Sequence, residues 1–378
     1  MRTNDAYDVA IVGGGLAGLS ASIQLAKAGH SVVLFEKEKY PFHRVCGEYV
    51  SLESWDFLKR LGLPLDEMRL PIIDTLLLTA PNGKAFRTRL PLGGFGISRF
   101  ELDSRVANLA RQNGVDVVEG TKIDHVTFEG TFHLQATSKT IHSKVCCAAY
   151  GKRSNLDIKW KRIFLRTANQ RLDNYVGVKY HVKTNWEKNV IGLHNFKDGY
   201  CGISKVEGDK YCLCYMTKAE NLRKCSNNIQ QLEETVLWRN EHLKKIFQSS
   251  EKCESFPVTI SQINFNKKTQ VENHLLMLGD SGGMITPLCG NGMSIALHTG
   301  KIASEVINEF LREKISREEM ELRYKKGWEQ NFGSRLRTGR GLQYFFGNER
   351  LSNLFVSAFK ALPFFSKPVI KMSHGEAF

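Results

Sequence analysis

The chain predicts an α/β plus β fold, in which a parallel βαβ unit is interwoven with a mainly antiparallel sheet and followed by C-terminal helices. Three observations predict it. The apolar run Val9-Ala10-Ile11-Val12 leads through Gly13-Gly14-Gly15-Leu16-Ala17-Gly18 into a helical stretch and a second apolar run that ends at Glu36. Short alternating strands, separated by turn residues, recur between positions 72 and 216. A charged, helix-forming stretch begins at Glu313.

The opening unit comes first in the argument. Residues 9–12 read as a buried parallel strand, residues 19–28 as a helix stopped by Gly29, and residues 31–35 as a second strand. Strand, glycine turn, helix, strand and acid form the fingerprint of a Rossmann-like dinucleotide-binding unit. Gly13 suits the tight turn, Gly15 the approach of a pyrophosphate to the backbone, and Gly18 close packing of helix on strand. The open N–H groups and dipole of the helix start favour phosphate. Glu36 can accept hydrogen bonds from ribose hydroxyls. The unit alone does not separate FAD from NAD.

Length and composition bound the rest. The 378 residues, 42% hydrophobic and 24% charged, predict a folded chain with more than one domain. The net charge of +14 fits a solvated basic surface, a phosphate-bearing cofactor such as NADPH, or an anionic membrane surface. The basic residues are scattered and no nucleic-acid-binding motif occurs, so no nucleic-acid partner is expected. Nine cysteines without a CxxC pair point to a reducing, cytoplasmic setting. Cys212 and Cys214 alternate on one strand face, which suggests packing rather than metal ligation. No Ser/His/Asp constellation or His-based metal site stands out, and no metal is expected. The first apolar run follows Asp5 and Asp8 and contains the glycine fingerprint, arguing against a signal peptide, and no apolar run of about 18 residues would span a membrane.

Further along, residues 37–50 read as a loop carrying Tyr40-Pro41-Phe42-His43-Arg44-Val45-Cys46-Gly47-Glu48. A helix is expected at 51–61, capped by Ser51 and stopped by Gly62. A hairpin around Pro81-Asn82-Gly83 pairs 72–80 with 84–90. Residues 98–112 read as a helix capped by Ser98, 116–119 as a strand and 126–148 as a small meander ending at Ala149-Tyr150-Gly151-Lys152-Arg153-Ser154. Strands follow at 175–181, 190–195, 200–206 and 211–216, then a polar helix at 227–247 and an apolar strand at 274–278. Gly279-Asp280-Ser281-Gly282-Gly283 and Pro287-Leu288-Cys289-Gly290-Asn291-Gly292-Met293 precede a helix to about 310. The expected organisation is a discontinuous nucleotide-binding domain at 1–71, 96–160 and 270–312. A substrate domain occupies 72–95 and 161–269, and a helical region 313–378.

In three separate motifs the chain resembles the FAD-dependent oxidoreductase superfamily of p-hydroxybenzoate hydroxylase, geranylgeranyl reductases and flavin-dependent halogenases. The motifs are Gly13 to Gly18 with Glu36, the segment Ala149 to Ser154, and Leu278-Gly279-Asp280 with Pro287 to Gly292. The Cys46-Gly47 loop resembles the geranylgeranyl reductase branch. The resemblance extends to about residue 310 and implies FAD as cofactor, with NAD(P)H as a transient electron donor. It sets Gly13, Gly15, Leu16, Ala17, Gly18, Glu36, Lys37, Arg44, Cys46, Gly47 and Arg99 against the FAD. Gly279, Asp280, Pro287, Gly290, Asn291, Gly292 and Met293 join them from the third motif, and Cys289 would stand near the flavin. There are departures. Tyr150 replaces a usual Asp, the halogenase Trp-x-Trp-x-Ile-Pro motif is missing, and Tyr200-Cys201-Gly202-Ile203-Ser204 lacks the Trp and Pro of the archaeal reductases.

The function this implies is C=C reduction of a lipophilic, unsaturated, isoprenoid-, polyene- or polyketide-like substrate, free or carrier-bound. Flavin N5 would give the hydride and Cys46 the proton. An NAD(P)H-dependent FAD monooxygenase is the alternative, followed by a flavin-dependent halogenase, a non-catalytic flavoprotein scaffold, and an NAD dehydrogenase. Leu351, Leu354, Phe355, Ala358, Phe359 and Leu362 recur at helical spacing beside Lys360, Lys367 and Lys371. That tail suits either packing on the domain or peripheral membrane contact.

Overall fold

The strand Ala6–Val12 lies at the centre of the first sheet, parallel to Val32–Phe35 on one side and to Thr140–Ala148 on the other. The computed structural model describes residues 5–136, 139–165, 174–345, 348–373 and 375–378. Asp116–Val118 and Leu275–Met277 extend the sheet in parallel, and Val271–Glu272 closes one edge antiparallel. The hairpin His125–Glu129/Thr131–Gln135 pairs with the first half of Thr140–Ala148. Because both faces of the central strand are covered, Val9, Ala10 and Ile11 are all fully buried, as a continuous apolar run in a parallel sheet requires.

The first helix is Leu16–Lys27, so it begins three residues earlier than expected. The glycine turn itself runs into the helix. Gly13 has φ +112°, and a Cβ at Gly18 would collide with the Gly13 carbonyl oxygen. This helix crosses a second one, Gly292–Leu311, at Gly300, where a Cβ would strike Ser20 Oγ and the Ala17 carbonyl. Arg317–Phe345 packs on the outside of that pair through Tyr324, Trp328 and Phe332.

The second sheet runs in the order Glu251–Lys252, Tyr175–Lys183, Tyr211–Lys218, Gly199–Lys205, Val190–Phe196, Ile72–Thr79, Ala85–Gly96, Tyr49–Ser51. Val258–Ile263 also pairs with Tyr175–Lys183. The expected helix at 51–61 is a strand end, a 3-10 turn at Leu52–Ser54 and a helix only over Trp55–Leu61. Tyr49–Ser51 pairs with Gly94–Gly96, which carries the loop after Glu36 onto the second sheet.

One face of this sheet, with Val178, Tyr180, Val182, Leu213 and Tyr215, packs on Leu232, Leu237, Leu243 and Ile246. The segment expected as one helix at 227–247 is broken into Ile229–Thr235, a 3-10 turn at Leu237–Arg239 and Glu241–Ser249. Asn240 breaks it. Its backbone is extended, its Oδ1 accepts from His242 N, and its Nδ2 donates to Thr79 Oγ1 and the Asn195 carbonyl.

No helix among the described residues is long and apolar enough to cross a membrane. The tail helix Glu349–Ala361 divides its apolar residues, with Val356 and Phe359 buried and Leu354 exposed.

Arg162 joins two of the sequence motifs from within the core. Its Nη1 donates to Asp157 Oδ1 and to the Ser281 carbonyl, each at 2.9 Å, and its Nη2 donates to the Thr269 carbonyl. Tyr150, which replaces the usual acid, donates its hydroxyl to Asp157 Oδ1 at 2.5 Å. Arg162→Met leaves Asp157 buried without its counter-charge. It is expected to lower unfolding stability by about 3–5 kcal/mol, read from urea denaturation. A loss under about 1 kcal/mol would show that this pair does not brace the Asp280 turn.

Candidate active site

The glycine turn, the Asp280 turn and two helix starts converge on one region. Gly15 precedes the first helix with no side-chain cap, no acidic residue occupies the first turn, and a Cβ on Gly15 would meet nothing within 4 Å. The space beside Gly15 is therefore open to a ligand, while Leu16, Ala17 and Gly18 carry the first N–H groups of the helix. Gly279 (φ +60°) would set a Cβ 3.2 Å from Ala17 Cβ and 3.5 Å from Ala296 Cβ, so the Asp280 turn lies between both helices. Pro287 begins a 3-10 turn closed by Gly290. Asn291 then leads into the second helix at Gly292, whose next residue, Met293, is buried. The Cys289 side chain lies outside the described residues.

An uncapped helix start beside glycine backbone fits the pyrophosphate of a dinucleotide. Burial raises the Asp280 carboxyl above its usual range, and the charges of Lys268, Arg99 and Lys152 pull the other way.

Glu36 ends its strand beside the turn and is 4% exposed. Its Oε2 accepts from Gly14 N and from Arg44 Nη2, both at 3.0 Å, and its Oε1 accepts from Glu38 N at 3.1 Å. Arg44 and Arg99 share a carboxylate that the sequence reading missed. Asp103, almost fully buried, takes Arg44 Nε at 3.0 Å and Arg99 Nε and Nη2 at 2.7 and 2.8 Å. Its spacing of four from Arg99 on a helix is the signal that could have found it. Lys37 stands apart, exposed and paired with Glu38 at 3.7 Å.

The Cys46 loop is laid across the second sheet. Strand register puts Lys179 opposite Cys214 and His181 opposite Cys212, with Ser204 and Gly202 beside those cysteines on the next strand. Cys212 Sγ donates to the Cys46 carbonyl at 3.1 Å, and Ser204 Oγ donates to the Gly47 carbonyl at 3.0 Å. Glu48 completes the attachment: Oε1 accepts from Lys179 Nζ at 2.5 Å and from Arg99 N at 2.9 Å, while Oε2 accepts from His181 Nε2 at 2.6 Å.

Glu48 occupies the left-handed region at φ 55°, a strained position for a side chain of this size, and these three bonds hold it there. Burial opposes its ionisation, but the hydrogen bond from His181 and the charge of Lys179 outweigh burial and keep the carboxyl below its usual range. Lys179 responds in the same sense: burial works against its charge, and the Glu48 carboxylate holds it above the ordinary lysine value. The signal for this cluster was the alternation of Lys179 and His181 in an otherwise apolar strand.

Cys46 is half-buried, and Glu48 N donates to its Sγ at 3.4 Å. Burial pushes the thiol up. The Arg99 charge opposes that effect and the Glu48 charge adds to it. At neutral pH the group is therefore a protonated thiol.

Residues 8–43, from the central strand into the Cys46 loop, match the family model described as FAD binding domain. The chain is 26% identical over 340 residues to the digeranylgeranylglycerophospholipid reductase of Methanocaldococcus jannaschii, across 86% of this chain and 83% of that one. The chain is an FAD-dependent oxidoreductase. The oxidoreductase is also 23% identical over 355 residues to conditioned medium factor receptor 1 of Dictyostelium discoideum, across 86% and 68% of the two chains. Its fold is that of the flavin-dependent brominase Bmp2, with a TM-score of 0.80 at 18% identity over 99% of this chain and 94% of that one. The likeness to the brominase is one of fold.

Glu36→Ala removes a charged acceptor from the end of the second strand. FAD affinity is expected to fall by roughly 1.5–3 kcal/mol, measured as a Kd by flavin fluorescence quenching. An unchanged Kd would put the ribose elsewhere.

Proposed function

We propose that this oxidoreductase reduces a C=C bond in a lipophilic, unsaturated substrate, with NAD(P)H as the transient source of electrons. The observation that carries the proposal is the Cys46 thiol. It is kept protonated by burial, and its loop is pinned to the sheet at three consecutive residues. The likeness to a reductase over 86% of the chain supports the same reading, as does the missing halogenase motif.

FAD held at the Gly13–Gly18 turn, Glu36 and the Asp280 turn, with NAD(P)H as its electron source, would supply hydride chemistry to one alkene carbon. Cys46 Sγ donates its proton to the other carbon, and the thiolate recovers a proton from solvent. The nearby charges of Arg99 and Lys179 stabilise that thiolate. Fixing the carbonyls of residues 46 and 47 holds the sulfur in one place, as orientation-based catalysis requires.

Cys46→Ala should leave flavin reduction by NAD(P)H nearly intact and slow substrate-dependent reoxidation at least ~100-fold in anaerobic stopped-flow measurements. Because the thiol acts as an acid with a raised pKa, wild-type turnover holds through neutral pH. It also holds past the ordinary thiol value of ~8.5 and declines only as pH rises through the raised thiol pKa. Undiminished reoxidation in the variant would make Cys46 a packing residue. Substrate-coupled oxygen uptake would instead favour a monooxygenase.

The same reading takes exposed Leu354, Leu362 and Phe364, beside Lys360 and Lys371, as the face that meets the lipid carrying the substrate. Removing residues from 351 onward should abolish sedimentation with anionic liposomes. Equal recovery of both chains would remove the membrane contact.

A further inference from the structure

The Cys46 loop meets the sheet at a second polar cluster that the reductase reading does not use. His43 comes from the loop, His181 from Tyr175–Lys183, and Glu254 from the segment just after the edge strand Glu251–Lys252. That strand pairs with Val182 and Lys183, and Cys253 N donates to the His181 carbonyl at 2.9 Å. One donor atom from each of His43, His181 and Glu254 lies within 4.8 Å of the other two. We propose that these three side chains bind one zinc-class divalent metal ion, which ties the loop to the sheet.

The tautomer of His181 is the first argument. The ring is 1% exposed, and its Nε2 meets the Glu48 carboxylate at 2.6 Å. A carboxylate held ionised by Lys179 only accepts, so Nε2 carries the proton and Nδ1 presents a lone pair. That lone pair faces Glu254 Oε1 at 3.4 Å, and Nδ1 has no hydrogen-bond partner among the described residues. Two acceptors facing each other need a cation between them. A second proton on His181 would serve for the pair alone. The buried Nδ1 of His43 also lacks a hydrogen-bond partner among the described residues, and a His43 ring nitrogen as third member of the group points to a metal ion instead.

The surroundings have the form that metal sites take. A ligating histidine typically donates its other ring N–H to a carboxylate, which fixes its orientation, and Glu48 does this for His181. The His43 ring is held by stacking on Phe100 at 4.7 Å and by its edge contact with His181 at 5.4 Å. Glu48 and Glu254 place a carboxylate at each ring nitrogen of His181, with the Lys179 ammonium on Glu48.

Two histidines and one carboxylate with an open fourth position suit Zn²⁺. Tetrahedral Zn²⁺ bonds of ~2.0–2.1 Å place donor atoms about 3.3 Å apart. The Glu254 side chain, 40% exposed, is the member with room to turn toward the ion. His43 and His181 are far apart in sequence, and so no ligand spacing along the chain announces the site.

The test uses untagged, FAD-loaded full-length protein equilibrated with ZnCl₂ and then dialysed free of unbound metal. Elemental analysis is expected to find one zinc per chain, and Co²⁺ titration the visible absorption of a four- or five-coordinate ion. Glu254→Gln and His43→Ala, both away from the glycine turn, should each weaken Co²⁺ binding at least 10-fold while FAD content and circular dichroism stay unchanged. Cys253→Ser should bind as wild type, which separates Glu254 from its neighbouring thiol. Zn²⁺ should also protect His43 from diethylpyrocarbonate in the unmutated protein, mapped by mass spectrometry. Less than a tenth of an equivalent of bound metal, wild-type affinity in both variants, or no protection of His43 would each overturn the site and leave a proton as the shared cation. None of these readouts depends on the reaction catalysed.

Discussion

Glu48 is the residue on which the arrangement of the site depends. It lies on a loop that leaves the nucleotide-binding strands, and it is held by Lys179 and His181 of the second sheet and by the first N–H of the helix Arg99–Gln112. Ionised groups at this depth are costly unless every partner is in place, and removing one member leaves an unpaired buried charge. A small displacement of the loop would therefore break several strong contacts together. The consequence is positional: Cys46 and Gly47, which have no anchoring charge of their own, are located by the carboxylate that follows them.

On the other side of the site, steric constraint does the equivalent work. The carbonyl of Gly13, the absent Cβ of Gly18 and the absent Cβ of Gly300 let a strand and two helices approach more closely than side chains would permit. Both helix starts are thereby brought toward the same turn, where Asp280 follows Gly279. Asp103 balances the two arginines between this region and the Cys46 loop. The glycine turn is thus suited to phosphates, and the ionic clasp fixes the Cys46 loop on the second sheet.

The chemistry at Cys46 reflects two opposed influences. Burial alone would make the thiol a poor proton donor by disfavouring the thiolate it leaves behind. Arg99 lowers that cost, and Glu48 raises it again. The result is a thiol that remains protonated in neutral solution, with the Arg99 and Lys179 charges near the sulfur to offset part of the cost of the thiolate that the proposed proton transfer would leave.

The sequence alone determined the first βαβ unit, because every feature of it is local. Strand, turn, helix and Glu36 fall within about thirty residues, and the glycines announce a backbone approach that no other residue allows. The third motif was legible for the same reason, since Gly279, Asp280 and the turn before Gly292 are set by short-range conformation. The break at Asn240 was not legible, because it depends on bonds to Thr79 and Asn195 from distant strands. Nor was the clasp, whose members are 131 and 133 residues apart. Only the antiparallel register of the second sheet puts Lys179, His181, Cys212 and Cys214 on one face, and only the path of the loop lays Glu48 across it. Alternation in a strand shows that two polar residues share a side, but the identity of what they meet is decided by tertiary packing.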